Sequence, residues 1–90
     1  MKRQEEKLEE NGYDLEDADI LLIDDDAYCK SLVGITDDNR AVYDKDMMVE
    51  EYSQHYQCSP EEALEYIEYN VVRALPYYYD KAPILYNTLY

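Results

Sequence analysis

The sequence predicts an α+β domain in which a small antiparallel sheet, a hairpin plus a C-terminal strand, packs on two helices. Three local patterns predict it. Two β-favouring runs, Ser31-Leu32-Val33-Gly34-Ile35-Thr36 and Ala41-Val42-Tyr43, flank the polar Asp37-Asp38-Asn39-Arg40, whose Asp and Asn tolerate the positive φ of a tight turn. Ser59-Pro60-Glu61-Glu62 carries the chemistry of a helix start. The apolar Ile84-Leu85-Tyr86 follows the helical region and has the character of a last strand.

Residues 1–12 read as a charged arm, either a short frayed helix or disordered, because residues 2–11 are all polar or charged except Leu8. Asn11-Gly12 is a natural helix stop. Residues 13–90 then form one compact domain. Within it Ile20-Leu21-Leu22-Ile23, bounded by Asp19 and Asp24-Asp25-Asp26, is a buried strand or a helical turn, and length alone does not separate the two. Asp44 caps a helix from about Lys45 to Gln57, on which Met48, Tyr52, His55 and Tyr56 form one stripe. At the next helix Ser59 accepts from a first-turn amide, Pro60 suits the first helical position, and Glu62 completes a capping box. That helix runs to about Leu75, burying Ala63, Leu64, Ile67, Val71, Ala74 and Leu75, and Pro76 ends it. Asn70 and Arg73 read as a cap and a bridge near its end.

Composition excludes several function classes. With 90 residues the chain can bury only roughly 60–65% of its unfolded surface, too little for a large enzyme. It carries 22 acids against 8 Lys plus Arg, a net charge of -14. Direct binding to nucleic acid or to an anionic membrane needs clustered cations, so neither is expected. The longest strongly apolar run, Ile20 to Ile23, is far short of the ~20 residues that cross a bilayer, and the charged Met1-Lys2-Arg3-Gln4-Glu5-Glu6-Lys7 is not a signal peptide. A cytoplasmic protein is expected, with Cys29 and Cys58 as reduced thiols because no CxxC motif is present.

Catalytic chemistry lacks its parts. His55 is the one histidine, the only glycines are Gly12 and Gly34, and no nucleophile motif occurs, so the sequence offers no phosphate cradle, dinucleotide fingerprint or histidine-based zinc site. A calcium loop starting at Asp24 would need Gly and Glu where Cys29 and Ile35 stand; starting at Asp14 it meets Asp19 and Asp25. No enzyme, no cofactor and no metal are expected, the weakest alternative being a metal-dependent hydrolase built on Asp24, Asp26 and neighbouring acids.

The charge is concentrated. Nine acids and no base lie between Lys7 and Lys30, including Asp24, Asp25 and Asp26, and seven more lie between Lys45 and Arg73. Glu61, Glu65 and Glu68 fall on one helical face, where like charges repel. A face that gives up helix stability to gather carboxylates suits a basic partner, and ordered rows of carboxylates can stand in for DNA phosphates. The candidate contact residues are Asp24, Asp25, Asp26, Asp37, Asp38, Glu61, Glu65 and Glu68, with Tyr66 and Tyr69 as rigid anchors. The bland alternative is that the acids only keep a small protein soluble. The 12 tyrosines, in a chain without Phe or Trp, offer a different reading, a structural or regulatory module that binds itself or another protein through aromatic rings.

Three stretches carry a resemblance: Gly34-Ile35-Thr36-Asp37-Asp38-Asn39-Arg40-Ala41-Val42-Tyr43-Asp44, then Glu61-Glu62-Ala63-Leu64-Glu65-Tyr66-Ile67-Glu68-Tyr69-Asn70, then Arg73-Ala74-Leu75-Pro76-Tyr77 with Ala82-Pro83-Ile84. Over about residues 32–86 the chain resembles a family of short, acidic, mostly uncharacterised phage and prophage proteins of Gram-positive bacteria. It departs from that family in having Asn39 where a turn glycine is usual, and its acidic N-terminal arm lies outside the resemblance. The resemblance implies no catalytic residue. Small acidic phage proteins include anti-CRISPR inhibitors, so the resemblance implies a partner among CRISPR effector nucleases, whose PAM-reading arginines and basic channel such carboxylates could engage.

Overall fold

Tyr43 sits at the centre of the molecule with 0% of its surface exposed, and its hydroxyl needs buried partners. The computed structural model, which describes residues 3–87 and 89, supplies them from two distant segments. The Tyr43 hydroxyl accepts from the Ile23 amide at 3.1 Å and donates to the Gln4 side-chain oxygen. Gln4, only 2% exposed, turns its amide nitrogen to the carbonyls of Ile23 (2.8 Å) and Asp25 (3.0 Å). Helix α1 (Gln4–Glu10) is thereby tied to the core, with Leu8 buried beside Gln4, and it stops at Asn11 and Gly12. Met1, Lys2, Thr88 and Tyr90 lie outside the described residues.

A short α2 (Leu15–Ala18), capped by the Asp14 carboxylate, ends at Asp19 in the left-handed region. Ile20 to Ile23 is then neither strand nor helical turn. The segment has no regular secondary structure, Ile20 and Ile23 are buried, and the Ile23 amide and carbonyl are satisfied by side chains, so no sheet ladder is needed.

Strands β1 (Leu32–Ile35) and β2 (Ala41–Asp44) form the expected antiparallel hairpin, with Asn39 at φ 65° in its turn. The register slips between Leu32 and Gly34, leaving Val33 as an extra, exposed residue in a bulge. Ala41 and Tyr43, two residues apart, point into the core. The α+β class stands, but the sheet is mixed: β3 (Ile84–Tyr86) lies beside β2 and runs parallel to it, pairing Ile84 with Val42 and Leu85 with Tyr43. Both helices lie between these strands in sequence. They return the chain to the end of the sheet where β2 began, the long crossover that parallel neighbours require.

Helix α3 (Lys45–Tyr56) begins at Asp44, whose carboxylate accepts from the amides of Asp46 (3.0 Å) and Met47 (3.3 Å). Of its predicted stripe Met48 is buried, Tyr52 half-buried, and His55 and Tyr56 exposed. Helix α4 (Pro60–Asn70) begins as predicted, Ser59 accepting from the Glu62 amide at 3.1 Å. It buries Ala63 and Ile67 and ends at Asn70 instead of Leu75, with Leu64 43% exposed on its flank. The chain continues from Val72 to Lys81 in 3-10 turns. Pro76 has no amide hydrogen for the α-helical bond to Val72 and crowds the residue before it, so the α-helix gives way a turn earlier.

Gln4→Ala should destabilise the fold by about 3 kcal/mol in urea unfolding, because it strips partners from the buried Tyr43 hydroxyl and Ile23 carbonyl. A change below about 1 kcal/mol would show the network to be dispensable. Burial also holds the Tyr28 and Tyr43 phenols above the ordinary tyrosine range, the bond from Ile23 offsetting only part of the effect at Tyr43. Because the folded pKa values lie above the unfolded one, this stability is complete below pH ~10 and is lost as pH rises from there toward the folded values. Each phenol should cost about 1.4 kcal/mol per pH unit in that window, and Tyr43→Phe should reduce the slope by one proton's worth in urea titrations. An unchanged slope would contradict this assignment.

Candidate functional site

The acidic turn Asp24-Asp25-Asp26 is built by the network around Gln4. Asp26 accepts from the Gln4 amide at 3.1 Å, and the Asp25 amide donates to Ile23 O at 2.8 Å. One Asp25 oxygen caps the 3-10 turn Asp26–Tyr28 through the Ala27 amide (2.9 Å), and the other accepts from the Tyr56 hydroxyl (2.9 Å). That last bond raises the Tyr56 pKa, since it holds the phenol proton against a carboxylate. Asp24 remains exposed at the head of the turn.

Tyrosines join this turn to the helices. Tyr52 of α3 packs against Tyr28 (ring centroids 6.2 Å apart), Tyr56 (4.5 Å) and Tyr66 of α4 (4.6 Å, stacked). The spacing on α3 places Tyr52 and Tyr56 on one stripe, but neither Tyr66 nor Tyr28 belongs to that pattern, and their place in the pile comes from the fold. A cavity of about 130 Å³ opens between the acidic turn and α4, walled by Asp24, Asp25, Tyr28, Tyr66, Asn70 and Tyr78. Tyr28 is 1% exposed, and its hydroxyl has no hydrogen-bond partner among the described residues. Asn70 donates to Tyr66 O at 3.1 Å, a cap within α4 that also braces Tyr66.

The other candidate residues fall in two places. Glu61, Glu65 and Glu68 are exposed along α4, and Lys45 pairs with Glu68. Tyr69 is exposed on the same helix under the Arg73 guanidinium, 4.4 Å from the ring centroid. Asp37 and Asp38 belong to the hairpin turn, where Thr36 donates to the Asp38 carboxylate and Lys81 donates to Asp38 O at 3.3 Å. The Thr36 hydroxyl, helped by Arg40 and Lys81, holds the Asp38 carboxyl below its usual range. The structure thus gathers Asp24, Asp25 and Tyr66 at one cavity and Glu61, Glu65, Glu68 and Tyr69 on one helix, while Asp37 and Asp38 have their own surroundings.

A larger hollow of about 560 Å³ lies between α1 and α3, near Lys7, Cys29, Lys30, Glu51 and His55. Several of its polar groups serve the fold: Glu51 accepts from the Lys30 amide (3.1 Å) and from Ser31, and Lys7 donates to Cys29 O (2.8 Å). Cys29 and Cys58 form no disulfide. Among the described residues no three His, Cys, Asp or Glu side chains gather where they could hold a metal ion, and no helix is long and apolar enough to cross a membrane. No family model, curated protein or solved structure matches this chain.

Tyr28→Phe should leave the fold intact and raise its stability by about 1 kcal/mol, because it removes a buried hydroxyl that lacks a partner. Urea unfolding decides this, and a loss of more than about 1 kcal/mol would mean that the hydroxyl is bonded in solution.

Proposed function

We propose that this protein is a phage-derived inhibitor of the anti-CRISPR kind, which uses an acidic, DNA-mimicking surface to keep nucleic acid from the basic channel of an RNA-guided nuclease in the bacterial cytoplasm. It works by binding and performs no catalysis. The observation that carries this reading is where the cations go. Lys7, Arg40 and Lys81 donate to the main-chain carbonyls of Cys29, Ala82 and Asp38, at 2.8, 2.8 and 3.3 Å. Arg73 lies over a tyrosine ring, while Arg3 pairs with Glu5 and Glu6, and Lys45 with Glu68. Only two of these cations pair with carboxylates at salt-bridge distance, and 8 Lys plus Arg against 22 acids leave a net charge of -14, a negative field that can steer a basic partner.

The contact residues in this reading are Glu61, Glu65 and Glu68 with Tyr69 on α4, Asp24, Asp25 and Asp26 with Tyr66 at the neighbouring turn, and Asp37 and Asp38 on the hairpin. Their carboxylates take the place of phosphates opposite arginines and lysines that otherwise hold DNA. A frame that keeps charges at fixed spacing loses little entropy on docking.

A second reading, a phage interaction module that binds itself or another phage protein through tyrosines, draws support from the segment after α4. Tyr77 and Tyr79 are 82% and 85% exposed, and Tyr79 has φ 57° and ψ -138°, a backbone region that non-glycine residues rarely adopt. An aromatic interface would hold at high salt, whereas acidic mimicry weakens as ions screen it.

The test is capture of a purified guide-loaded RNA-guided nuclease by the tagged protein at ~50 and ~500 mM salt, with target DNA as competitor. Glu61→Gln, Glu65→Gln and Glu68→Gln combined should weaken capture at low salt and flatten its salt dependence. Stability should stay within about 0.5 kcal/mol, as relief of repulsion offsets the lost Lys45 pair. Capture undiminished by the triple change would overturn the acidic-face reading, and salt-resistant self-association would favour the tyrosine module.

A further inference from the structure

The cavity beside the acidic turn is lined by acceptors on Asp24, Asp25 and Asn70, by tyrosine rings, and by the aliphatic Ile23, Val71 and Ala74. Asp24 is exposed at its mouth, and Asp25 enters with each oxygen bonded once, leaving further lone pairs. Asn70 spends its amide nitrogen on Tyr66 O, which leaves its side-chain oxygen as an acceptor. Tyr52 covers one face of the Tyr66 ring, and the remainder of that ring helps to wall the cavity.

Tyr28 is the feature that the fold does not explain. Its side chain is buried, yet its hydroxyl is unpartnered among the described residues, and a buried donor left without an acceptor destabilises the fold. Tyr28 is itself one of the residues that line this cavity, beside Asp25 and Tyr66.

The volume and the chemistry narrow the ligand. At about 130 Å³ the cavity has room for about four waters at ~30 Å³ each, well below the ~300 Å³ of a small cofactor site. Two carboxylates at its wall exclude an anion and favour a cation. A flat aromatic wall with acceptors on several sides suits a planar cation that stacks while donating in several directions. Guanidinium has five donors in one plane; an ammonium has three around a point charge.

We propose that this cavity is an arginine-reading pocket: one guanidinium of the partner enters between the acidic turn and α4, stacks on Tyr66, pairs with Asp24 and Asp25, and hydrogen-bonds the Tyr28 hydroxyl and Asn70. The assignment rests on the reading that the partner is a basic protein, and it names the group that the surface recognises. It gives the buried phenol the partner it lacks in the free protein.

Titration of the full-length, isotope-labelled protein with N-acetyl-arginine methylamide, followed by NMR, tests the pocket without any nuclease. Saturable shifts centred on Asp24, Asp25, Tyr28, Tyr66 and Asn70 are expected, with the corresponding lysine derivative binding more weakly. Tyr28→Phe, which keeps the ring and the fold, should weaken arginine binding about tenfold, the loss of one hydrogen bond to a charged group. Shifts spread over all the acidic surface, equal for the two derivatives and unchanged by Tyr28→Phe, would overturn the pocket and leave only a hydrated cavity. The two readings fail separately, because a nuclease captured through α4 would survive loss of the pocket, and arginine binding would survive neutralisation of Glu61, Glu65 and Glu68.

Discussion

The hydroxyl of Tyr43 is the point on which the rest of the molecule depends. It joins the middle of the sheet to the Ile23 amide and to the side chain of Gln4, which in turn holds the carbonyls of Ile23 and Asp25. Three segments far apart in sequence meet on one buried oxygen. Partly satisfied, such a network destabilises a core; fully satisfied, it specifies one arrangement. The arrangement specified here places three consecutive aspartates at the surface and bonds two of them to the frame beneath.

That frame stands against considerable self-repulsion. A net charge of -14 on a 90-residue chain opposes the compact state, and few of the acids are relieved by ion pairs among the described residues. The cations serve the fold by reaching main-chain carbonyls, as Lys7 does at Cys29, Arg40 at Ala82 and Lys81 at Asp38. Cations so used stitch the hairpin, the 3-10 segment and α1 together. The tyrosine pile complements them, giving the core aromatic area while the Tyr56 hydroxyl reaches Asp25 at the boundary.

What could be read in the sequence was local chemistry. Ser59-Pro60 and Asp44 mark helix starts because a capping oxygen acts within three residues of itself, and Asn39 marks the hairpin turn because its side chain tolerates a left-handed backbone. The direction of β3 was not readable in this way, since it depends on the path of two helices and the 3-10 segment. Nor was the burial of Gln4, which sits in a run of charges and finds its partners 19 to 39 residues away. The aspartates and glutamates were visible as a charge pattern, but the pocket was not. It forms only when Tyr28, Tyr66 and Asn70 converge on Asp24 and Asp25, and no spacing in the chain records that convergence.

A rigid frame presents the acidic turn, which is not a loose polar loop. Native-state hydrogen exchange at the Ile23 amide measures this most directly, because that amide belongs to no strand or helix and donates to the buried Tyr43 hydroxyl. With the turn so held, the Ile23 amide should exchange as slowly as the β2 amides, through global unfolding. Exchange of Ile23 by local opening, while β2 stays protected, would contradict it.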